Sequence, residues 1–491
     1  MTKFFIDQHG CAKNQVDGEL LLNHFLDMGM EQTFKPEEAD FIVINSCGFI
    51  ESAKKESLDA VVSAKRDYPD AKILLTGCLA ERYAGMLKDA LPEADGIFGN
   101  GNISKIDEFI RSFMKGERLV ETYKQEGVCC GERKVLLSYP GSAFIKITEG
   151  CSNHCSFCAI PIIRGELRSR RAADIVEEIR KLVSRGIVEF NLIGQDLAAY
   201  GTGVSDDVFG EGRSPLPVIE NGINHGTRTE SALARLLKMI SEIPGNFIVR
   251  TLYIHPDHFN RDILPVMQKD KRLLPYFDIP FQSGDDTIVR SMNRKGSSEE
   301  YIRLVKDIRE ALPDATLRTT FLTGFPGETD ENAENTLSFL KAIESDWSGC
   351  FPYSREEDTP AYSFKGRVRQ KLAKERAERL VAVQSEITEK HLKSHVGKEY
   401  DVLIEEVVEG EEGIAIGRAW FQAPDVDGSV VVRYEKDIAK ENDAVKPGRF
   451  VRAKILASSE VDLDGVFTGD SELNKGVPVS AMKFATEMQE V

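Results

Sequence analysis

Residues 143–161 read AFIKITEGCSNHCSFCAIP, and this stretch decides how the rest of the chain is read. Ala143–Thr148 has the apolar, β-branched look of a buried strand. A loop follows at once with Cys151, Cys155 and Cys158, spaced three residues and then two. Thiolates are soft ligands, and iron–sulfur clusters are held by several of them gathered on one loop. Three ligands leave one iron of a four-iron cluster open, as a catalytic metal requires. A zinc site completed by His154 is the bland alternative, but zinc ligands usually come as two spaced pairs.

Working outward, six candidate strands alternate with amphipathic helices. The strands are Ala143–Thr148, Glu189–Ile193, Phe247–Ile254, Tyr276–Phe281, Ala315–Leu322 and Gly349–Tyr353. The helices include Ala173–Arg185, Ala232–Ile243, Ser298–Leu312 and Glu331–Ile343. Such alternation implies a parallel sheet, here a partial (β/α)6 barrel with the cysteine loop on its carboxyl rim. Gly203–Arg228 interrupts it as a long polar loop.

Upstream, Lys3–Asp7, Phe41–Asn45 and Ile73–Thr76 read as strands, each followed by a helix (Asn14–Met28, about Phe49–Lys65, and one through Leu87), which predicts an open α/β parallel sheet. Cys11, Cys47 and Cys78 each fall between a strand and a helix (HGCAKN, INSCGF, LTGCLA). They share one edge of the sheet only if the βα units bring those turns together, and ligands of open α/β sheets bind there. Three small buried residues at strand ends is the competing account. Gly116–Arg133 reads as a linker. Arg367–His395 reads as one exposed connecting helix. Tyr400–Ile404, Ile414–Trp420, Ser429–Arg433 and Phe450–Leu456 have the period of a small antiparallel β-barrel. The division expected is 1–125, 137–366, 367–395, 396–460 and a tail, 461–491, without assigned structure.

The chain has 491 residues, 63 Lys and Arg against 80 Asp and Glu, and a net charge of −17. That favours a basic partner over non-specific polyphosphate binding. No apolar run spans a membrane and no secretory signal opens the chain. The expectation is therefore a cytoplasmic protein whose cysteines serve metal or catalysis rather than disulfides.

C-x3-C-x2-C after a first barrel strand resembles the radical S-adenosylmethionine superfamily. With the second triad, the chain resembles its methylthiotransferase branch from Thr2 to about Glu460. INSCGFIESAKKES (Ile44–Ser57), GCLAERY (Gly77–Tyr83), AIPIIRGELRSR (Ala159–Arg170), FPYSREEDTPAY (Phe351–Tyr362) and APDVDG (Ala423–Gly428) tip it toward the enzymes that modify a ribosomal protein. The resemblance implies two 4Fe-4S clusters, a radical-generating one on Cys151, Cys155 and Cys158 and an auxiliary one on Cys11, Cys47 and Cys78. It implies S-adenosylmethionine as cofactor, an external electron donor and a terminal TRAM barrel. The reaction implied is methylthiolation at the β-carbon of an aspartate in small-subunit ribosomal protein twelve. Two departures stand out: FQSGDD has Ser283 where the family usually has His, and the Gly203–Arg228 insertion is long.

A tRNA adenosine methylthiotransferase would share every cysteine. Nucleic acid would be the partner only in that case. Leu392–Glu460 carries ten basic and fourteen acidic residues, net −4, and Glu405–Glu412 holds five Glu without a cation. Such a surface suits a basic protein better than RNA. A non-enzymatic iron–sulfur scaffold is the other alternative.

Weaker candidates for S-adenosylmethionine contact are Phe157, Gln195 and Gly324, the last in GFPGE. Asp196 could equally cap a turn. Arg164, Arg168, Arg170 and Arg171 form a basic cluster that could hold a carboxylate or phosphate. His255 and His258 read first as structural. Cys350 reads as a packed core thiol, and Cys129 and Cys130 match no motif.

Overall fold

The computed structural model describes residues 1–410, 413–435, 445–478 and 483–484. The amino-terminal sheet has six parallel strands, ordered Glu31–Gln32, Lys3–Gln8, Phe41–Ser46, Lys72–Gly77, Gly96–Gly99 and Leu119–Glu121. The last strand lies inside the stretch expected to be a linker. Its three residues, Leu119, Val120 and Glu121, form an edge that pairs on one side only, with Gly96, Ile97 and Phe98. Phe41, Val43 and Leu74 pack against the helix Ala12–Asp27 and its neighbours on one face. Ile42, Ile44, Ile73 and Leu75 pack on the other. A strand buried on both faces reads as a continuous apolar run, and FIVIN does.

The central sheet has six parallel strands side by side in chain order: Ser142–Lys146, Glu189–Ile193, Ile248–Thr251, Leu273–Asp278, Thr316–Thr323 and Trp347–Pro352. Consecutive addition on one side makes a partial barrel. Alternate residues (Ala143, Ile145, Phe190, Leu192, Val249) face the outer helices. The inward set is polar to an unusual degree, with Lys146, Glu189, Asn191 and Arg250 all buried.

The helix Gln370–Lys393 is not merely an exposed connector. Ala373, Ala377, Leu380 and Ile387 are buried on one stripe, and the helix packs on the last two barrel strands. Its dense charge lies on the opposite face.

The carboxyl-terminal barrel closes in the order Glu399–Val407, Ile414–Ala419, Val430–Arg433, Leu463–Asp470 and Phe450–Ser458. Two features correct the sequence reading. Leu463–Asp470 falls in the tail left without structure, yet it is the strand that closes the barrel. Its pairing with Val430–Arg433 is parallel, so the barrel is mixed rather than wholly antiparallel. Glycine and aspartate dilute its apolar alternation, and closure against both neighbours supplies what the pattern lacks. Further along, Lys483–Phe484 pairs with Val135–Leu136. Of the acidic run, Glu405 is buried and receives a 2.6 Å bond from Arg418, while 411 and 412 lie outside the described residues.

The small barrel caps the amino-terminal end of the central one. Arg418 bridges Glu405 and Glu189, while Arg250 binds Glu189 at 2.6 Å, Asn191 at 2.8 Å and the Trp420 carbonyl at 2.9 Å. Asp427 of the APDVDG segment accepts from Tyr276 at 2.6 Å and Arg318 at 2.8 Å. The amino-terminal domain sits at the opposite, carboxyl end. Among the described residues no helix is long and apolar enough to cross a membrane.

Candidate active site at the carboxyl end of the barrel

Cys11, Cys47 and Cys78 lie at the carboxyl ends of three neighbouring parallel strands, and their turns touch. A Cβ on Gly10 would stand 3.1 Å from Cys47 Cβ, and one on Gly48 only 2.7 Å from the Cys78 carbonyl oxygen. Gly10 and Gly77 also have φ of +89° and +92°, which side chains other than hydrogen rarely adopt. Asn14 ties the turns by donating to the carbonyl oxygens of His9 at 2.8 Å and Asn45 at 3.1 Å.

Cys151, Cys155 and Cys158 follow the first barrel strand on one loop. The loop is fixed by Cys151 N–H to Gly165 O and Cys158 N–H to Cys155 O, both 3.0 Å. Asn153 in the loop donates to Asp196 at 3.0 Å. Asp196 also accepts from the His255 backbone at 3.1 Å and pairs with His258 Nδ1 at 2.6 Å. Asp196 therefore does more than cap its turn; it joins the cysteine loop to the third strand's end. His255 Nε2 lies 3.8 Å from Cys155 Sγ, and burial drives its pKa down to about 3, so the ring is neutral. His154 points outward instead, against Glu166, so it is not turned toward a zinc site.

The two triads meet. Cys78 packs with Ala159 and Ile163, just after Cys158 in the chain. Arg164 donates to Cys78 Sγ at 3.2 Å, Asp17 at 2.8 Å and Glu149 at 2.6 Å. Lys146 completes the knot with Asp17 at 2.5 Å and Glu149 at 2.7 Å, and all four charged residues are buried. The basic cluster foreseen around Arg164 is thus not one patch. Arg170 binds Glu178, and Arg171 is exposed beside Asp174. A second clasp joins three of the quoted segments: Arg82 and Lys54 both bind the buried Glu356, at 2.9 and 3.1 Å. Sequence reasoning gave no role to Lys13, Asn14, Asp17, Arg82 or Glu356. The polar residues within AKNQVDGE, on an otherwise apolar helix, were the available signal.

All nine cysteines are free thiols. Burial raises the pKa of Cys78 and Cys158 to about 12, and raises Cys47, Cys151 and Cys155 as well. Cys11 moves the other way: burial is outweighed by the nearby Lys13 and Arg164 cations. The residue keeps accessible surface. Among the described residues no group of three or more His, Cys, Asp and Glu is set for a single metal ion. Two sets of three thiols from converging turns fit a larger, soft thiolate-bound cluster.

Gln195 has both amide atoms buried without a partner, as orphaned polar atoms at a ligand site would be. Phe157 packs with Met292, Phe325 and Tyr353 beneath the cysteine loop. Gly324 has a packing reason: a Cβ there would lie 2.3 Å from Ala373 Cβ of the long helix. Its GFPGE partner Glu328 binds Arg376 at 2.6 Å. Ser283 is spent on fold, bridging Thr336 Oγ1 and the Asp285 N–H, both at 3.1 Å. The 203–228 insertion forms a short hairpin, and Asn224 anchors it to the Asp257 and Phe259 carbonyls. Cys350 packs against the barrel core, Cys129 against the amino-terminal core, and Cys130 is exposed.

A partial parallel barrel with a three-cysteine mouth, an α/β domain above it and a small barrel below define the architecture of a radical S-adenosylmethionine enzyme. Models of the Radical SAM superfamily, the Uncharacterized protein family UPF0004 and the TRAM domain match residues 145–340, 3–99 and 396–467. The fold is shared with the radical S-adenosylmethionine methyltransferase TsrM of Kitasatospora setae. That match has a TM-score of 0.51 at 13% identity, over 79% of this chain and 89% of that one.

The chain is 52% identical to the ribosomal protein uS12 methylthiotransferase RimO of Treponema denticola, over 94% of this chain and all of that one. It is 38% identical to the RimO of Natranaerobius thermophilus, over 94% and 98%. The chain belongs to the RimO family of radical S-adenosylmethionine methylthiotransferases. That family uses two 4Fe-4S clusters and S-adenosylmethionine.

Proposed function

We propose that this protein methylthiolates the β-carbon of an aspartate in ribosomal protein uS12. Cys151, Cys155 and Cys158 would hold the radical-generating cluster, and Cys11, Cys47 and Cys78 the auxiliary one. Bound there, the clusters and two molecules of S-adenosylmethionine would supply one-electron, radical and methyl-transfer chemistry. An unactivated C–H bond has no acidic proton, so radical chemistry is what the reaction needs. The chain's own residues orient and shield. Gln195 and Phe157 line the S-adenosylmethionine seat, and Gly324 would take part only through its backbone. Arg164 offsets thiolate charge at Cys78 while joining the domains. Residues 1–125, 137–366, 367–395 and the barrel from 396, extended to 470, serve as auxiliary domain, radical core, connecting helix and TRAM domain. An external electron donor and a cytoplasmic setting belong to the same reading.

The observation that carries it is the meeting of the two triads through Cys78, Ala159 and Arg164. The test is anaerobic reconstitution with iron and sulfide, then dithionite, S-adenosylmethionine and either uS12 or tRNA. Release of 5′-deoxyadenosine and a mass gain of one methylthio group on uS12 are expected. A gain on tRNA with none on uS12 refutes the substrate, and absence of 5′-deoxyadenosine refutes the enzyme.

A further inference from the structure

Three lysines of the described chain are buried: Lys13, Lys54 and Lys146. Lys54 is paired with Glu51 and Glu356, and Lys146 with Asp17 and Glu149. Lys13 makes no ion pair and no hydrogen bond with any described residue, although only 7% of it is exposed. Its direct partner is an aromatic face, with Nζ 3.2 Å from the ring centroid of Tyr253. A cation over an aromatic ring recovers a fraction of what full hydration supplies. A buried ammonium without a carboxylate is costly, so such groups are normally paired. Cys11, then Asp278 and Glu149, draw on Lys13 through space, and Arg164 repels it; neither carboxylate is within ion-pair reach.

The position of this charge is specific. Lys13 lies two residues after Cys11, on the amino-terminal domain. Tyr253 lies just past the barrel strand Ile248–Thr251, so the ammonium reaches across the domain boundary into the barrel mouth. Tyr253 is held at φ +67°, a left-handed conformation that a bulky residue adopts only when its surroundings impose it. Its carbonyl accepts from Leu197 N–H at 3.0 Å, which fixes the ring beside the turn carrying Gln195. In that turn both amide atoms of Gln195 are buried without a partner. Cys78 already has its own cation in Arg164. Cys11 acts on the Lys13 ammonium through space but makes no hydrogen bond or ion pair with it, so the three ammonium donors are open to something that enters.

We propose that Lys13, backed by Tyr253, is the seat for the side-chain carboxylate of the protein substrate and is a specificity-determining residue of the reaction. This rests on the reading of the chain as an aspartate methylthiotransferase. An ammonium presents three donors to a carboxylate, and the ion pair replaces the hydration that burial removed. Neither a nucleobase nor an amide returns a compensating charge. An aspartate held by its carboxylate has its β-carbon one bond away, close to Cys11, on which Lys13 already acts.

The test is a double-substitution binding cycle on the full chain, reconstituted anaerobically. Its probe is fluorescently labelled uS12, with either the target aspartate or asparagine in its place. The unsubstituted protein is expected to bind the aspartate form about ten- to a hundredfold more tightly, as a charge-assisted bond implies. Lys13→Met should erase that preference, Lys13→Arg should restore part of it, and iron content and melting temperature should hold. Lys13→Gln serves if Lys13→Met does not fold. A preference that survives Lys13→Met or Lys13→Gln overturns the proposal. So does loss of iron in those variants, which would make Lys13 a counter-ion of the auxiliary cluster. The methylthio assay of the unsubstituted protein reports separately on the function itself.

Discussion

The two ends of the central barrel are built on opposite principles. At the amino end the buried charges are matched: Arg250 and Arg418 share Glu189, Arg418 also holds Glu405, and Asp427 takes both Tyr276 and Arg318. At the carboxyl end, beyond the Arg164 knot and the Glu356 clasp, Lys13 goes without a carboxylate, the Gln195 amide goes without a partner, and Cys11 stays accessible. Paired buried charges hold parts together. Unpaired buried polar groups cost stability and persist where a ligand completes them. The small barrel thus seals one end of the central barrel, and the amino-terminal domain covers the other.

If the contrast is right, substitutions at the two ends separate activity from stability. The largest effect is expected from Cys155→Ala, which should abolish both 5′-deoxyadenosine release and methylthio product. Its melting temperature before cluster loading should be nearly unchanged. Cys47→Ala should keep 5′-deoxyadenosine release and lose sulfur insertion; full product from it would detach the dispersed triad from the chemistry.

Arg418→Ala tests the other end. It leaves Glu189 and Glu405 buried with a partner missing, which costs roughly 3–5 kcal/mol in comparable buried pairs. Denaturant unfolding should show that loss, while iron content is retained under native conditions. An Arg418→Ala protein as stable as the parent would remove the sealing role.

Gly48→Ala sharpens the comparison within the carboxyl end. The added methyl would meet Cys78 backbone at 2.7 Å, so two of the three dispersed turns must part. Overpacking of this kind costs roughly 1–3 kcal/mol, and iron at the second triad should fall while the loop triad keeps its own. Equal loss at both, read by Mössbauer or iron counting, would argue against two independent sites.

The smallest expected effect is a pH dependence remote from the chemistry. His395 stacks on Phe421 at 4.0 Å and shares a 2.7 Å bond with the Tyr400 hydroxyl. Burial lowers its pKa to about 4, against an ordinary value near 6.5. The folded state thus favours the neutral ring. The stabilisation is complete above pH 6.5 and is lost as pH falls from there through 4. His395→Gln should flatten the melting temperature across that window, and an unchanged slope would assign the dependence elsewhere.

Much of this arrangement was legible in the sequence. The loop triad is local: eight residues of chain suffice to gather Cys151, Cys155 and Cys158, and no distant contact can move them apart. The βα alternation fixed both parallel sheets, because strands buried on two faces are written as apolar runs such as FIVIN. Even the dispersed triad was visible as a repeated position between strand and helix.

Tertiary structure alone decided what lies across the domain boundaries. Nothing in the periodicity of Ala12–Asp27 says that Asp17 meets Lys146 and Arg164, or that Lys13 stops over Tyr253 without a carboxylate. Leu463–Asp470 became a strand only through closure of the barrel. Glu405, one acidic residue among five, turned inward because Arg418 was there to meet it. Local pattern encodes backbone hydrogen bonding and hydrophobic burial, which repeat along the chain. Charge pairing at an interface joins residues more than a hundred positions apart, and is settled only when the surfaces come together.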